Sequence, residues 1–340
     1  MNKLTKIGAS ALCGSLAAVS AANAGELTVT GGADMTWISL DGEVTGNPIG
    51  IGSNMGFTGS GELDNGIGVA LGIYHANTNS YTETNVQITV PSLGTFQVDQ
   101  GSSGTGIDRI DDITPTVWEE SHGAGVATGI DTVAGVSGSA NIEYTPNMLP
   151  DGITARLAFS PAAGGSKSGD KASSGDDAST KESGFDVIVS ADGSALGMDG
   201  LTINAGLSNI SQNSAASSIS GDIDERTVAL TYAMGAFTIG AQMSEEDLGT
   251  ASGVKQYDNT GYGVTFSVND NLSIGFNHFE SDQNNHTTAD VTAEATSLQI
   301  AYTMGGASIR VAEVTTDNNN YSTAAGNDDD GTIISLGLAF

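Results

Sequence analysis

Along most of the chain, apolar residues occupy every second position over stretches of about ten residues. This is the period of a strand with two unlike faces, not of a helix. Ile334, Leu336, Leu338 and Phe340 alternate with Ser335, Gly337 and Ala339. The same pattern places Leu201, Ile203 and Leu207 on one face, Val228, Leu230 and Tyr232 on another, and Leu272, Ile274 and Phe276 on a third. The opposite faces carry Thr, Ser, Asn, Gln and Gly.

Tight-turn sequences punctuate these runs. They fall at Leu63-Asp64-Asn65-Gly66, Pro91-Ser92-Leu93-Gly94, Pro150-Asp151-Gly152, Met198-Asp199-Gly200, Met234-Gly235-Ala236, Asn269-Asp270-Asn271 and Met304-Gly305-Gly306. Such residues supply positive φ or local side-chain hydrogen bonds. Residues 230–239 nearly repeat at 300–309, and the later turns recur about every 35 residues. That spacing fits two ten-residue strands plus a connection at the other end. The other-end connections read as long polar loops at 162–183, 212–224, 245–259, 282–292 and 316–330. Seven turns joining fourteen strands, with one strand before and one after, predict sixteen.

The first 24 residues read as a cleaved secretory signal: Lys3 and Lys6, an apolar run over 7–21, then Ala22-Asn23-Ala24. Leu12 before Cys13 departs from the lipidation pattern. Cleavage removes the only cysteine, so the mature chain, residues 25–340, has no disulfide and no thiolate site. It also removes two lysines and no acid, making a chain of net charge −30 still more acidic. Nucleic-acid partners, which need basic surfaces, are excluded as a main role. With 47 glycines and 15% charged residues, the composition suits neither an ordinary soluble enzyme nor a disordered chain.

A β-sandwich would bury the apolar face; a transmembrane barrel would turn it to lipid and keep the polar face wet. The hydrophilic second face, strand lengths near the ~9–11 residues of a tilted membrane strand, and a last strand ending on Phe340 all favour the barrel. An open sheet edge in lipid would leave backbone groups unpaired. The predicted fold is therefore an all-β, antiparallel up-and-down transmembrane β-barrel of 16 strands. Trp37, Tyr144, Tyr232, Phe237, Tyr262, Tyr302 and Phe340 sit near strand ends, as interfacial girdles require.

The chain resembles the general bacterial porins, the sixteen-stranded trimeric channels of Gram-negative outer membranes, in their marine and α-proteobacterial form. Three segments carry the resemblance: Glu26-Leu-Thr-Val-Thr-Gly-Gly-Ala-Asp-Met-Thr-Trp37, Met55-Gly-Phe-Thr-Gly-Ser-Gly-Glu-Leu-Asp-Asn-Gly-Ile-Gly-Val69 and Leu93-Gly-Thr-Phe-Gln-Val-Asp-Gln-Gly101. Terminal Phe340 matches the residue that members present to the outer-membrane assembly machinery. The resemblance implies a homotrimer in contact with lipid and lipopolysaccharide, and a long third loop folded into the lumen. The excess length between the turns at Leu93 and Asp151 places that loop at about 101–135.

Asp108, Arg109, Asp111, Asp112, Glu119 and Glu120 are the expected constriction residues. Charges crowded into a narrow aqueous path filter ions strongly. Strand parity points Arg156 and Arg310 into the lumen, and puts Arg226 on the apolar parity near the rim. No multi-arginine cluster opposes the loop acids. Calcium would be held at Asp108, Asp111 and Asp112, although neither this run nor 328–330 matches an EF-hand.

Catalytic signatures are missing from the sequence. His75, His122, His278 and His286 lack zinc spacing, and residues 123–129 lack the βαβ context of a dinucleotide site. The expected function is therefore a passive, cation-preferring diffusion channel for ions and small hydrophilic solutes, not an enzyme, needing no cofactor and exported to the outer membrane. A non-channel outer-membrane barrel and a secreted calcium-binding β-protein or adhesin are the alternatives.

Overall fold

The computed structural model describes residues 24–41, 47–77, 83–101, 104–164, 180–213, 217–324 and 326–339. The leader up to residue 23 and the expected assembly signal at Phe340 lie outside them. The strands are β1 (Ala24–Leu40), β2 (Ile49–Glu62), β3 (Gly68–Ala76), β4 (Glu83–Val90), β5 (Gly94–Gln100), β6 (Ala140–Pro146), β7 (Ile153–Ser160) and β8 (Lys181–Asp192). They continue as β9 (Leu201–Gln212), β10 (Ile223–Met234), β11 (Phe237–Asp247), β12 (Val254–Ser267), β13 (Leu272–Asn285), β14 (Val291–Met304), β15 (Ala307–Asp317) and β16 (Asp329–Ala339). Each pairs antiparallel with its chain neighbours, and β1 pairs with β16, so the sheet closes. The closing register sets Met35 opposite Leu336 and Trp37 opposite Ile334.

All seven expected turns join the expected strands. The near-repeat has a structural cause. Gly235-Ala236 and Gly305-Gly306 are both two-residue hairpin loops whose first glycine has φ 61°. A side chain there would meet the left-handed region that glycine alone enters freely.

Polarity is inverted relative to a water-soluble fold. Leu27, Ile51, Met243 and Leu298 are 50–72% exposed, while Asn277, Gln299 and Ser335 are at most 1% exposed. Large apolar side chains face outward around the barrel, and the inward face is mainly polar, with buried apolar patches at Ile188, Ile210, Phe279 and Ile333. A water-exposed surface of this kind would forgo about 1.5–3 kcal/mol for each such side chain, so the outer face needs an apolar surround. Outward aromatics are in contact near the turn end: Phe237 stacks on Phe266 at 4.5 Å and Phe96 on Tyr144 at 4.6 Å.

Two of the expected loops are largely strand. Residues 245–259 contain the end of β11 and the start of β12, and 282–292 the end of β13 and the start of β14. The polar residues there pair across strands instead of leaving the sheet. Asn284 donates to Asp258 at 2.8 Å, Thr292 to Asp282, and Arg226 pairs with Glu245. The segment off the sheet between β5 and β6 is 101–139, four residues longer than expected at its far end.

Closure of β1 on β16 is testable by cross-linking. With Cys13→Ser as background, Trp37→Cys combined with Ile334→Cys should form a disulfide under mild oxidant, because directly paired residues lie within disulfide reach. A boiled, non-reducing gel should show the shifted band. Trp37→Cys with Ile239→Cys should stay unlinked; the reverse pattern would refute the closing register.

Candidate functional site

The 101–139 segment starts with a 3-10 turn, Gly106–Ile110, and runs out and back along the polar face of β6 to β16. Its backbone is held by wall side chains, because a loop without a sheet partner must satisfy its amides elsewhere. The outgoing limb sits lower, toward the tight-turn end. Gly106 N–H donates to Glu143 at 2.8 Å and Ile107 N–H to Asp186 at 3.0 Å. Gln242 accepts from Ile113 N–H at 3.0 Å and donates to the carbonyl of Ile110 at 2.9 Å. Asn277 accepts from Ser121 N–H, and Gln299 from Trp118 N–H. The returning limb lies nearer the loop end: Asn259 donates to the Asp131 carbonyl, and Glu225 accepts from Ala134 and Gly135 N–H.

Apolar contacts complete the docking. Ile107, Ile110 and Val133 pack on Ile188, while Ala124 and Val126 pack on Ala312, Val314 and Ile333. Pro115 lies against Gly240 and Gly263, where an added Cβ would stand 2.6 Å from its Cδ and 2.3 Å from its carbonyl oxygen. Only bare backbone lets the loop approach that closely.

The sequence-selected residues divide into three groups. Arg109 makes a bidentate pair with Glu143 (2.8–3.1 Å), and Arg156 lies 3.6 Å from the same carboxylate. Arg310 pairs with Asp34 at 2.9 Å, and Ser335 also bonds Asp34. Both strand arginines thus lie on the polar face, each beside a wall acid. Arg226 stands on the apolar face with Glu245, and its side chain is 65% exposed.

The acids form the third group. Asp112 and Glu119 are exposed, whereas Glu120 is buried. Burial pushes the Glu120 carboxyl up to about 8, with Asp112 adding repulsion. Burial and then Asp112 also raise Asp111. Burial followed by Asp112 raises Glu119, which Arg310 partly offsets. Burial raises Asp108, against hydrogen bonds from Gly104 N–H and Ser137 Oγ. Among the described residues no three His, Asp or Glu side chains converge in a metal-holding arrangement.

Sequence reading missed the wall residues that grip the loop: Glu143, Asp186, Glu225, Gln242, Asn277 and Gln299. Their signal was a long acid or amide on the inward parity of a strand. Ile38 and Leu40 of β1 pack against the Ala124–Val126 cluster, while among the described residues β2 to β4 make none of these loop contacts. Beside them, Asp34, Asn54, Asn77, Ser308 and Arg310 border an open cavity of about 480 Å³.

These features have counterparts among known proteins. Residues 8–340 match the family model described as Gram-negative porin. No curated protein matches the chain by sequence. Similar solved structures include Salmonella typhi OmpF in complex with daunomycin, 14% identical with a TM-score of 0.70, covering 93% of this chain and 98% of that one. OmpT of Vibrio cholerae, in vitro folded and in a trimer form, is 13% identical with a TM-score of 0.66 (94% and 100% covered). An anion-selective porin from Comamonas acidovorans is 14% identical with a TM-score of 0.64 (93% and 99% covered). These likenesses bear on the fold, and the family model spans nearly all of the sequence. The chain belongs to the Gram-negative porin family.

Proposed function

We propose that the protein is a passive outer-membrane diffusion channel whose 101–139 segment narrows a water-filled lumen, and that it prefers cations. The observation that carries this reading is the inverted polarity of a closed sheet: large apolar residues outside, buried amides, hydroxyls and acids inside. The loop backbone is held by wall side chains of β6 to β14, and Ile38 and Leu40 of β1 pack against its Ala124–Val126 cluster, while among the described residues β2 to β4 lie outside these contacts. The solute path then runs between the loop and those strands, bounded by Asp112 and Glu119 on one side and by Arg310 and Asp34 on the other. Movement along it needs no covalent step.

Ion preference follows from unbalanced charge, not from the fold, since a porin of the same architecture is anion-selective. Arg109 and Arg156 share Glu143, and Arg310 has Asp34. Asp112 and Glu119, the loop acids left exposed, have no matching cluster of cations, while Asp111 and Glu120 keep their protons at neutral pH and add charge only at higher pH. In the low-dielectric surround of a narrow pore, such a surplus draws cations and excludes anions.

The homotrimer fits the same reading. Strands β3 to β7 have only 7–9 residues, against 11–14 in β8 to β15. Tilted by ~45°, eight residues span about 19 Å, less than an apolar band of about 25 Å. Their outward Leu71, Val86, Ile88, Val98 and Ile142 are better covered by another copy of the chain than by lipid. The trimer form reported for OmpT agrees.

In planar bilayers under a salt gradient, the reversal potential should have the sign of cation preference. Anion preference would overturn the selectivity, and absence of conductance would favour a non-channel barrel. Asp112→Asn with Glu119→Gln should lower the cation-to-anion permeability ratio about tenfold per charge, because one charge ~6 Å from the path at bulk-water dielectric favours a cation about threefold and disfavours an anion about threefold. An unchanged ratio would remove these residues from the constriction.

Cation preference should also rise with pH through about 8, as Glu120 gives up its proton, and Glu120→Gln should flatten that step. The stability sign is opposite. A carboxyl raised in the folded state holds its proton longer than in the unfolded chain, so its contribution to stability falls from the ordinary carboxylate range up to about pH 8. Melting of the detergent-solubilised protein should lose that component in Glu120→Gln.

A further inference from the structure

We propose that the inner wall, on the tight-turn side of the 101–139 segment, holds a site for one neutral, polyhydroxylated ring of monosaccharide size. The site rests on the channel reading and gives that channel a preferred solute class. A cavity of about 280 Å³ lies between Thr116 and Val117 of the segment and the hairpin ends of β12, β13 and β14. Its size is near the lower bound of small-molecule pockets, ~300 Å³. Short turns of such barrels face the periplasm, so an entering solute meets this cavity after it passes the segment.

Strand register assembles the lining. Ser267 stands opposite Ser273, Ser273 opposite Ala301, and Thr265 opposite Gly275, all on the inward parity. The turn between β12 and β13 is braced from within. Asn269 Oδ1 accepts from Asn271 N–H at 3.0 Å and from Leu272 N–H at 3.1 Å. Asn271 Nδ2 donates across to the Thr303 carbonyl at 2.7 Å. Asp270 lies on the lining at this turn, and its carboxylate has no hydrogen-bond partner among the described residues.

The hydroxyl groups select the ligand. Elsewhere on the inner wall such groups are committed. Ser244 accepts from Asn259 at 3.1 Å and Ser297 from Gln299 at 2.8 Å, while Ser281 bonds Tyr321 and Ser335 bonds Asp34. The hydroxyls of Thr116, Thr265, Ser267 and Ser273 have no such partner among the described residues, and all four line this cavity. A hydroxyl donates one bond and accepts two, so the set complements a ring that carries hydroxyls itself. Val117 and Ala301 supply an apolar patch for the C–H face of that ring. Val117 is seated over Gly275, where an added Cβ would stand 3.2 Å from its Cγ1. Asp270 is the one charged residue of the lining, so it accepts ring hydroxyls and repels an anionic solute.

Saturation-transfer NMR on the folded protein in detergent tests this, with D-glucose, gluconate and tetrahydropyran as separate probes. Glucose should give a saturable signal. Gluconate, which is charged, and tetrahydropyran, a ring without hydroxyls, should give signals several-fold weaker at equal concentration. Thr265→Val with Ser273→Ala should weaken glucose binding about fivefold for each hydroxyl removed, the effect of one ordinary hydrogen bond. Thr265→Ser keeps the hydroxyl and should bind as the unaltered chain does. No signal from glucose, an equal signal from either other probe, or undiminished binding in the double variant would overturn the site. The probe comparison uses the unaltered chain, so it decides even if a variant misfolds. Bilayer conductance of the same preparation reads the channel separately. Conductance without glucose binding refutes the site alone, and glucose binding without conductance refutes the channel alone.

Discussion

Backbone amides and carbonyls cannot be left unpaired in hydrocarbon, and the rest of the structure depends on meeting that constraint. A sheet meets it only by closing. Pairing of β1 with β16 removes both edges at once. Closure separates two surfaces that alternate residue by residue, so each strand must serve an apolar outside and a polar inside. The 15% charged content and the 47 glycines are consequences of this arrangement. Charge is confined to loops, strand ends and the inner face, while glycine supplies the hairpin turns and the bare wall on which Pro115 rests.

The same backbone requirement governs the 101–139 segment, which has no strand partner. Its amides are satisfied by Glu143, Asp186, Glu225, Gln242, Asn277 and Gln299. Buried carboxylates that accept backbone N–H bonds are strong and directional holders. Small apolar footprints such as Ile188 and Ile333 add area without interrupting the polar face for long. The loop is thereby fixed to one side of the barrel, and the acids at 112 and 119 are left exposed on its free side.

Strands and turns were legible because their signals are local. A period of two and a Gly, Asn or Asp in the left-handed or Asx-turn position need no tertiary information. The 70-residue echo of Met-Gly located two equivalent hairpins. Loop ends were less legible: residues such as Asp258 and Asp282 read as coil, but they sit in strands that continue past the apolar band and pair with neighbours. Parity placed Arg156, Arg310 and Arg226 on the faces they occupy. It gave no means of finding Asp34 or Glu143 as their partners, because any inward polar residue fits a wet lumen. Which of them meets another chain segment is a long-range property.

Substituted-cysteine modification during single-channel recording measures the central claim, a water-filled interior inside a lipid-facing wall. Asn54→Cys lies on the inner face and Leu298→Cys on the outer. A charged, membrane-impermeant thiol reagent is predicted to modify Asn54→Cys and step the conductance down, while leaving Leu298→Cys channels unchanged. Modification of Leu298→Cys with Asn54→Cys untouched would contradict it.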